Sequence, residues 1–324
     1  MVCTEITRLS NNKTFRLEIG QFPWEIDVSK LKFLEKVFCI SKTEAVIIWI
    51  IFSFNLSLLC LAFYGLCCLF KPNHTVPIFV INLFIADVIQ ICFRPIITFG
   101  MFNLVVGILY YVYSMGIVAN IGFMVCISME RYIMIKYPVW YRLHNTSKNT
   151  ILICVFVWAV PCACVVIDVT IAFKGHLEHL FIVSVFLFLL PYPLVVFSFV
   201  GSWRALSHSI SVTPDEKKRI LWILALVLFN YTVLFMPSIV ESSILSLSFE
   251  SGQSNPFYLH SVSETLVYLN PLADTLLYIF LRKDANSMFK CLCCERSHED
   301  QTQRANSVNS FSGRSEVQIS VQTD

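Results

Sequence analysis

The amino-acid sequence predicts an all-α membrane protein, a seven-transmembrane helix bundle with a short amphipathic C-terminal helix. Three observations carry that prediction. Charged residues make up only 14% of the chain against 56% hydrophobic, with a mean hydropathy of +0.68, whereas a soluble domain carries roughly 25% charged residues. Seven stretches stay apolar for the ~20 residues that a helix needs to cross a ~30 Å hydrocarbon core. Lys and Arg gather at alternate ends of those stretches, as membrane topology demands.

Residues 1–43 are polar and mixed in charge, without the basic start, apolar centre and small-residue cleavage site of a secretory signal. They are expected to form an extracellular N-terminal tail in which Asn12-Lys13-Thr14 is a glycosylation acceptor. Similar triplets at Asn55, Asn73 and Asn230 fall inside spans or in a cytosolic loop and are read as chance matches. Leu31, Leu34 and Phe38 recur at helical spacing after Trp24, which suits a short interfacial helix or a partly ordered tail equally.

The spans are read at 44–70, 76–101, 105–135, 149–173, 180–203, 219–245 and 258–280, a bundle over 44–280 with the short connections of an antiparallel array. One side of the bundle collects Lys71, Lys136, Arg142, Lys148, Arg204, Lys217, Lys218, Arg219, Arg282, Lys283 and Lys290. The opposite loops offer only Lys174. Cytoplasmic loops retain positive charge, so seven spans place the N-terminus outside and the C-terminus in the cytoplasm of a multi-pass plasma-membrane protein. Leu281, Ala285, Met288, Phe289 and Leu292 share one face, so residues 281–294 are expected to lie on membrane lipid as an amphipathic helix. Cys291, Cys293 and Cys294 at its end suit palmitoylation. Residues 295–324 are polar and rich in Ser, Thr and Gln, the composition of a disordered cytoplasmic tail.

The net charge of +2 and the absence of a strongly basic run speak against a nucleic-acid partner. Most of the 13 cysteines lie inside apolar runs, where cysteine packs as a small hydrophobe, and no metal-ligand spacing of His and Cys is present.

Polar residues inside the spans are the informative ones, because each costs about 2.5–3.5 kcal/mol to insert and needs a partner or water. Asn55, Asp87, Asn120, Asn270 and Asp274 fall at middle or inner depths of spans one, two, three and seven. They can form a hydrated cluster around a sodium ion, or serve simply as interhelical glue. Arg94, between Phe93 and Pro95 in span two, has apolar residues on both sides. Its planar donor fork could hold a ligand carboxylate or phosphate. The alternatives are neutralisation by Glu241 or Asp168, or snorkelling to the interface. Tyr110, Tyr113, Phe235 and Tyr268 would supply pocket walls, and Glu241 a second charge.

Glu130-Arg131-Tyr132 closes span three, Phe235-Met236-Pro237 kinks span six through the missing proline N–H, and span seven carries Asn270-Pro271-Leu272-Ala273-Asp274-Thr275-Leu276-Leu277-Tyr278. These motifs, in this order, resemble the rhodopsin-like (class A) G protein-coupled receptors over residues 44 to 293. Asn55, Leu83-Phe84-Ile85-Ala86-Asp87 and Asp274-Thr275-Leu276-Leu277-Tyr278 match the family patterns of spans one, two and seven. Asp274, and Phe235 in place of the usual Trp, are similar to the purinergic, proton-sensing and lipid-receptor branch. The resemblance implies a receptor for an extracellular, possibly anionic small-molecule or lipid ligand that activates a heterotrimeric G protein. It assigns coupling and switching to Glu130, Arg131, Tyr132, Pro237, Asp274 and Tyr278, and arrestin-type partners to a tail phosphorylated at Ser307, Ser310, Ser312 and Ser315.

The sequence also departs from the family. Thr275 replaces the span-seven proline, with Pro271 one turn earlier, so the kink is expected to move outward. Val106 stands where span three begins with a cysteine, and the 174–179 loop has none, so the family's outer disulfide is absent. Lys217 replaces the acid that often pairs with the span-three arginine. A proton sensor using His176, His179 and His260, or a constitutively active receptor, remains an alternative. A transporter or channel lined by Asp87, Arg94 and Asp274 is a remoter one, disfavoured by the lack of repeated halves. No catalytic constellation suggests an enzyme, and no cofactor is expected beyond sodium.

Overall fold

Helices that are apolar on every face must bury themselves in a bundle or in lipid, and the computed structural model packs these spans into one bundle. It describes residues 14–19, 22–27, 42–69, 78–98, 104–144, 146–174, 178–208, 214–251 and 257–281 of the 324. Span one is α1 (Lys42–Leu69), span two α2 (Ile78–Ile97) and span three α3 (Leu104–Lys136). A short helix, α4 (Pro138–His144), precedes span four, α5 (Ser147–Phe173). Span five is broken into α6 (Glu178–Leu189) and α7 (Tyr192–His208). Span six joins α8 (Pro214–Asn230) to α9 (Met236–Ser251) through a π-helical turn, Tyr231–Phe235. Span seven consists of α10 (Phe257–Tyr268) and α11 (Asn270–Leu281). The bundle belongs to one compact unit, Met1–Tyr278; of a second unit, Ile279–Asp324, only the last turn of α11 is described.

Span three is the axis of the packing. It lies against α2, α5 and α7, and Ala119, Phe123, Met124 and Ile127 are fully enclosed along it. Span four is held at the rim by Trp158, whose indole N–H donates to Asn82 Oδ1 of span two at 3.0 Å. Close approach depends on two glycines. A Cβ at Gly122 would stand 2.7 Å from Val157 Cγ1, and one at Gly201 would stand 2.5 Å from the Tyr132 ring. Tyr132 is thereby laid against span five, edge-on to Phe197 at 5.2 Å.

Three helices are interrupted, two of them at a proline. Pro191 has no N–H to give, and α6 ends two residues before it. The freed carbonyl of Phe188 instead accepts the Tyr231 hydroxyl at 2.5 Å, clipping the break in span five to the π turn of span six. In span seven Pro271 stops the ladder at Leu269, whose carbonyl is taken by Leu272 and Ala273 N–H groups at 3.1 and 3.2 Å. The kink thus lies at Pro271, a turn before Thr275.

Outside the bundle the structure adds an antiparallel hairpin, β1 (Thr14–Ile19) and β2 (Phe22–Asp27), that an all-helical reading does not contain. Its register pairs Phe15 with Ile26, Leu17 with Trp24 and Ile19 with Phe22, so alternate positions on both strands are apolar, the period of a two-faced sheet. Trp24 accordingly opens no interfacial helix; residues 28–41 lie outside the described residues. So do Asn12, the palmitoylation candidates Cys291, Cys293 and Cys294, the amphipathic 282–294 segment, His176 and the tail serines. The described cysteines Cys60, Cys92, Cys126, Cys154, Cys162 and Cys164 are all free thiols.

Candidate functional site

At mid-depth four spans deliver their polar residues to one point. Asp87, Asn120, Asn270 and Asp274 are wholly buried. The Asn120 amide nitrogen donates both to Asp87 Oδ1, at 2.7 Å, and to Asp274 Oδ2, at 2.8 Å. Asn270 Nδ2 donates to Asn120 Oδ1 at 2.8 Å and to Asp274 Oδ2 at 3.1 Å. Tyr278 donates its hydroxyl to Asp87 Oδ2 at 2.5 Å. Asn55 joins from span one by donating to the Tyr268 carbonyl at 3.2 Å.

Span six contributes Asn230, whose amide donates to Asn270 Oδ1 and Asp274 Oδ1, both at 3.2 Å. As a residue, Asn230 looks like part of a chance glycosylation triplet; its place at the centre comes from the same rule that singles out the other intramembrane amides. Every donor here except the tyrosine is an amide, so neutral groups bridge two facing carboxylates. A hard cation prefers carboxylate and amide oxygens, and this donor set supplies both. Among the described residues no three His, Cys, Asp or Glu side chains converge as they would for a transition metal.

One end of the bundle holds a second polar group. Arg94 is 7% exposed and pairs with Glu264 of span seven, Nη2 to Oε2, at 3.3 Å. Its guanidinium also lies 5.4 Å from the Tyr113 ring centre, where the ring face attracts a cation. The partner is neither Glu241 nor Asp168, as the sequence alone suggests. Glu241 is taken by His260, Oε1 to Nδ1 at 2.5 Å, and Asp168 sits on span four away from the guanidinium's bonds. The expectation of an anionic ligand rests on an uncompensated Arg94, and Glu264 removes that premise. Glu264 was open to the same reasoning as Arg94, being a charge inside a span.

Of the expected pocket walls, Tyr110 lies within electrostatic reach of Arg94, Glu264, Glu241 and Asp168. Tyr113 is 1% exposed with a hydroxyl that has no partner. Tyr268 reaches the Ile91 carbonyl at 3.4 Å. Phe235 is fully buried between Tyr231 and Phe188, with ring centres 5.2 and 5.9 Å away, within the clip between spans five and six. Pro237 is the second residue of the next helix, which Met236 opens directly after the π turn.

The other end carries Glu130-Arg131-Tyr132. Glu130 does not engage its neighbour; its Oε1 accepts the Tyr141 hydroxyl from α4 at 2.7 Å. Burial, and then the carboxylate beside it, push the Tyr141 phenol well above its ordinary range, so it stays a donor at physiological pH. Arg131 reaches only the Met134 sulfur, at 4.0 Å, and its buried Nε has no partner. Among the described residues the guanidinium meets no carboxylate, which agrees with Lys217 standing where a pairing acid would be.

A charged cluster at one end, an arginine without a carboxylate partner at the other and a buried polar core between them are the features of a seven-span membrane receptor. The family model for the 7 transmembrane receptor (rhodopsin family) matches residues 57–278, and the chain belongs to that family, whose members are G protein-coupled receptors and not enzymes. The mouse galanin receptor type 1 is 22% identical over 273 residues, covering 72% of this chain and 76% of the relative. Mouse G-protein coupled receptor 68 is 24% identical over 261 residues, 68% of either chain. The human proto-oncogene Mas is 22% identical over 173 residues, 51% of either chain.

Proposed function

We propose that this receptor binds an extracellular ligand in the cavity around Arg94 and activates a heterotrimeric G protein at the Arg131 end. The N-terminus then faces outward and the C-terminus the cytoplasm, where the tail takes up arrestin-type proteins and residues 281–294 meet membrane lipid. Ligand and G protein act on one equilibrium: whichever arrangement binds the ligand better is populated, and the polar core passes the change along the bundle. The observation that carries this reading is Arg131, a half-buried guanidinium with an enclosed Nε and no carboxylate partner among the described residues, poised for an acceptor supplied from outside the chain. Replacing Arg131 with Ala should abolish nucleotide exchange on the G protein at normal surface expression. Normal exchange by a variant present at the surface would refute the reading.

Within the core, Asp87, Asp274 and the amide oxygens of Asn120 and Asn270 would hold a sodium ion, which offsets one of the two carboxylate charges. Asp87→Asn should then shrink the effect of sodium on basal G protein activation; equal sodium titrations in both proteins would leave only the hydrogen-bond network.

One further reading has a specific observation behind it. An Arg131 that need not leave an ion pair favours basal signalling without ligand, as in a constitutively active receptor. Titrating receptor density against second-messenger level in ligand-free medium decides this, since a silent receptor gives a flat line. The proton-sensing alternative now rests on His260, which faces Glu241 with Glu264 and Arg94 nearby; acid-evoked signalling that survives His260→Gln would dismiss it.

A further inference from the structure

The cluster around Arg94 sets Glu264 and Glu241 near one guanidinium, with Asp168 of span four at its edge. Their common neighbour is Tyr110, which feels all four charges. Arg94 and Glu264 compensate one another, and Glu241 is engaged by His260. Asp168, half-buried on span four, makes no hydrogen bond or ion pair among the described residues. Even with His260 protonated, the group carries an excess of negative charge in a membrane, where such charge is costly unless it serves a ligand.

A second observation concerns unfilled hydrogen bonds. Glu264 Oε2 is near Arg94 but poorly aligned, and it accepts none. The Tyr113 hydroxyl is buried without a partner. One turn below Arg94, Gln90 is fully buried; its amide nitrogen donates to the Ala86 and Gly116 carbonyls, both at 3.4 Å, and its Oε1 accepts nothing. Buried polar atoms in a native fold are seldom left unpaired without a functional reason. The vacant set is mostly acceptors, a carboxylate oxygen, an amide oxygen and a phenol, with the Arg94 Nε–H as a lone additional donor.

We infer that this polar cluster takes a cationic ligand rich in N–H donors, a guanidinium, amidinium or primary ammonium, seated on Glu264 Oε2, Gln90 Oε1 and the Tyr113 hydroxyl. Asp168 adds attraction from the facing span and draws cations toward the mouth. The assignment rests on the receptor reading above and adds the charge class of its ligand, opposite to that expected from Arg94 alone.

The test uses the full-length receptor in detergent, with agmatine and benzamidine as cationic probes and glutarate and inorganic phosphate as anionic ones. The cations should raise the thermal unfolding midpoint saturably and the anions should not. Glu264→Gln should weaken the half-saturating concentration by at least about thirtyfold, the effect of truncating one partner of a buried charge contact, and Asp168→Asn by less. Should Glu264→Gln fold poorly with Arg94 left alone, Arg94→Gln/Glu264→Gln restores neutrality and must also lose the cation response. Stabilisation by the anions alone, no response to either cation, or equal responses in wild type and both Glu264 variants overturns the inference. Basal G protein activation, measured in parallel with Arg131→Ala, reports on the receptor reading separately: a basal signal that Arg131→Ala removes, without a cation response, sinks only the ligand class.

Discussion

Tyr278 donates its hydroxyl to Asp87 across the bundle, at 2.5 Å, so the end of span seven is fastened to span two through the same carboxylate that Asn120 bridges to Asp274. Two carboxylates that would otherwise repel are each spoken for by neutral donors, and the bundle's centre is held by polar contacts where most helices would offer leucine. In lipid, where apolar packing offers little driving force between helices, such contacts decide which helices adjoin.

A double-mutant cycle tests that fastening. Tyr278→Phe and Asp87→Asn should each destabilise the solubilised receptor, with a coupling of about 1.5–3 kcal/mol, the worth of a hydrogen bond to a charged group. Additive losses in chemical or thermal unfolding would show that the two side chains do not meet.

The Arg94–Glu264 pair makes a different prediction. Arg94→Met strands a buried carboxylate and should cost about 3–5 kcal/mol, seen as lost surface expression. Adding Glu264→Gln should restore expression, whereas adding Glu241→Gln or Asp168→Asn should not, since neither acid is the partner.

At the opposite end, Tyr141→Phe releases Glu130 Oε1. The freed carboxylate lies beside an Arg131 that lacks one, so the two should pair and basal G protein activation should fall. The raised phenol keeps Tyr141 protonated well above neutrality, so in the wild type this contact should contribute no pH dependence between about 6 and 8. A higher basal signal in Tyr141→Phe would contradict the pairing.

Packing supplies a fourth test. Gly122→Ala puts a methyl 2.7 Å from Val157 Cγ1 and should cost about 1–3 kcal/mol by overpacking. Val157→Ala in the same chain should recover most of the loss in unfolding midpoint, and failure to do so would mean spans three and four are not in contact there.

The spans were legible because the demand for ~20 apolar residues is severe, and the intramembrane polar residues because each stands out against that background. What sequence could not choose was the partner of each charge. Arg94 had several acids at suitable depth, and which one it meets depends on which helices adjoin, a tertiary fact. The hairpin was legible in principle: Phe15, Leu17 and Ile19, then Phe22, Trp24 and Ile26, alternate strictly around Gly20-Gln21, a two-residue hairpin signal. The 3.6-residue spacing of Leu31, Leu34 and Phe38 concerns a stretch outside the described residues. The π turn at Tyr231–Phe235 leaves no mark in composition, since its extra residue only shifts the phase of an otherwise regular apolar pattern.

The break at Leu269 bears on how the chain enters the membrane. Six stretches are long and apolar enough to cross by themselves, but α10 and α11 are 12 residues each, about 18 Å apiece, and they carry Glu264, Asn270 and Asp274. Neither half reaches across a ~30 Å core, so the last crossing must be made as a jointed pair whose charged and amide groups already have somewhere to go. Span seven therefore enters late and by reception, its polar atoms passing from the insertion machinery to Arg94, Asn120 and Asn230 without a stay in lipid. A substitution in those three residues should then act first on biogenesis: with six crossings in place of seven, the two termini would lie on the same side of the membrane.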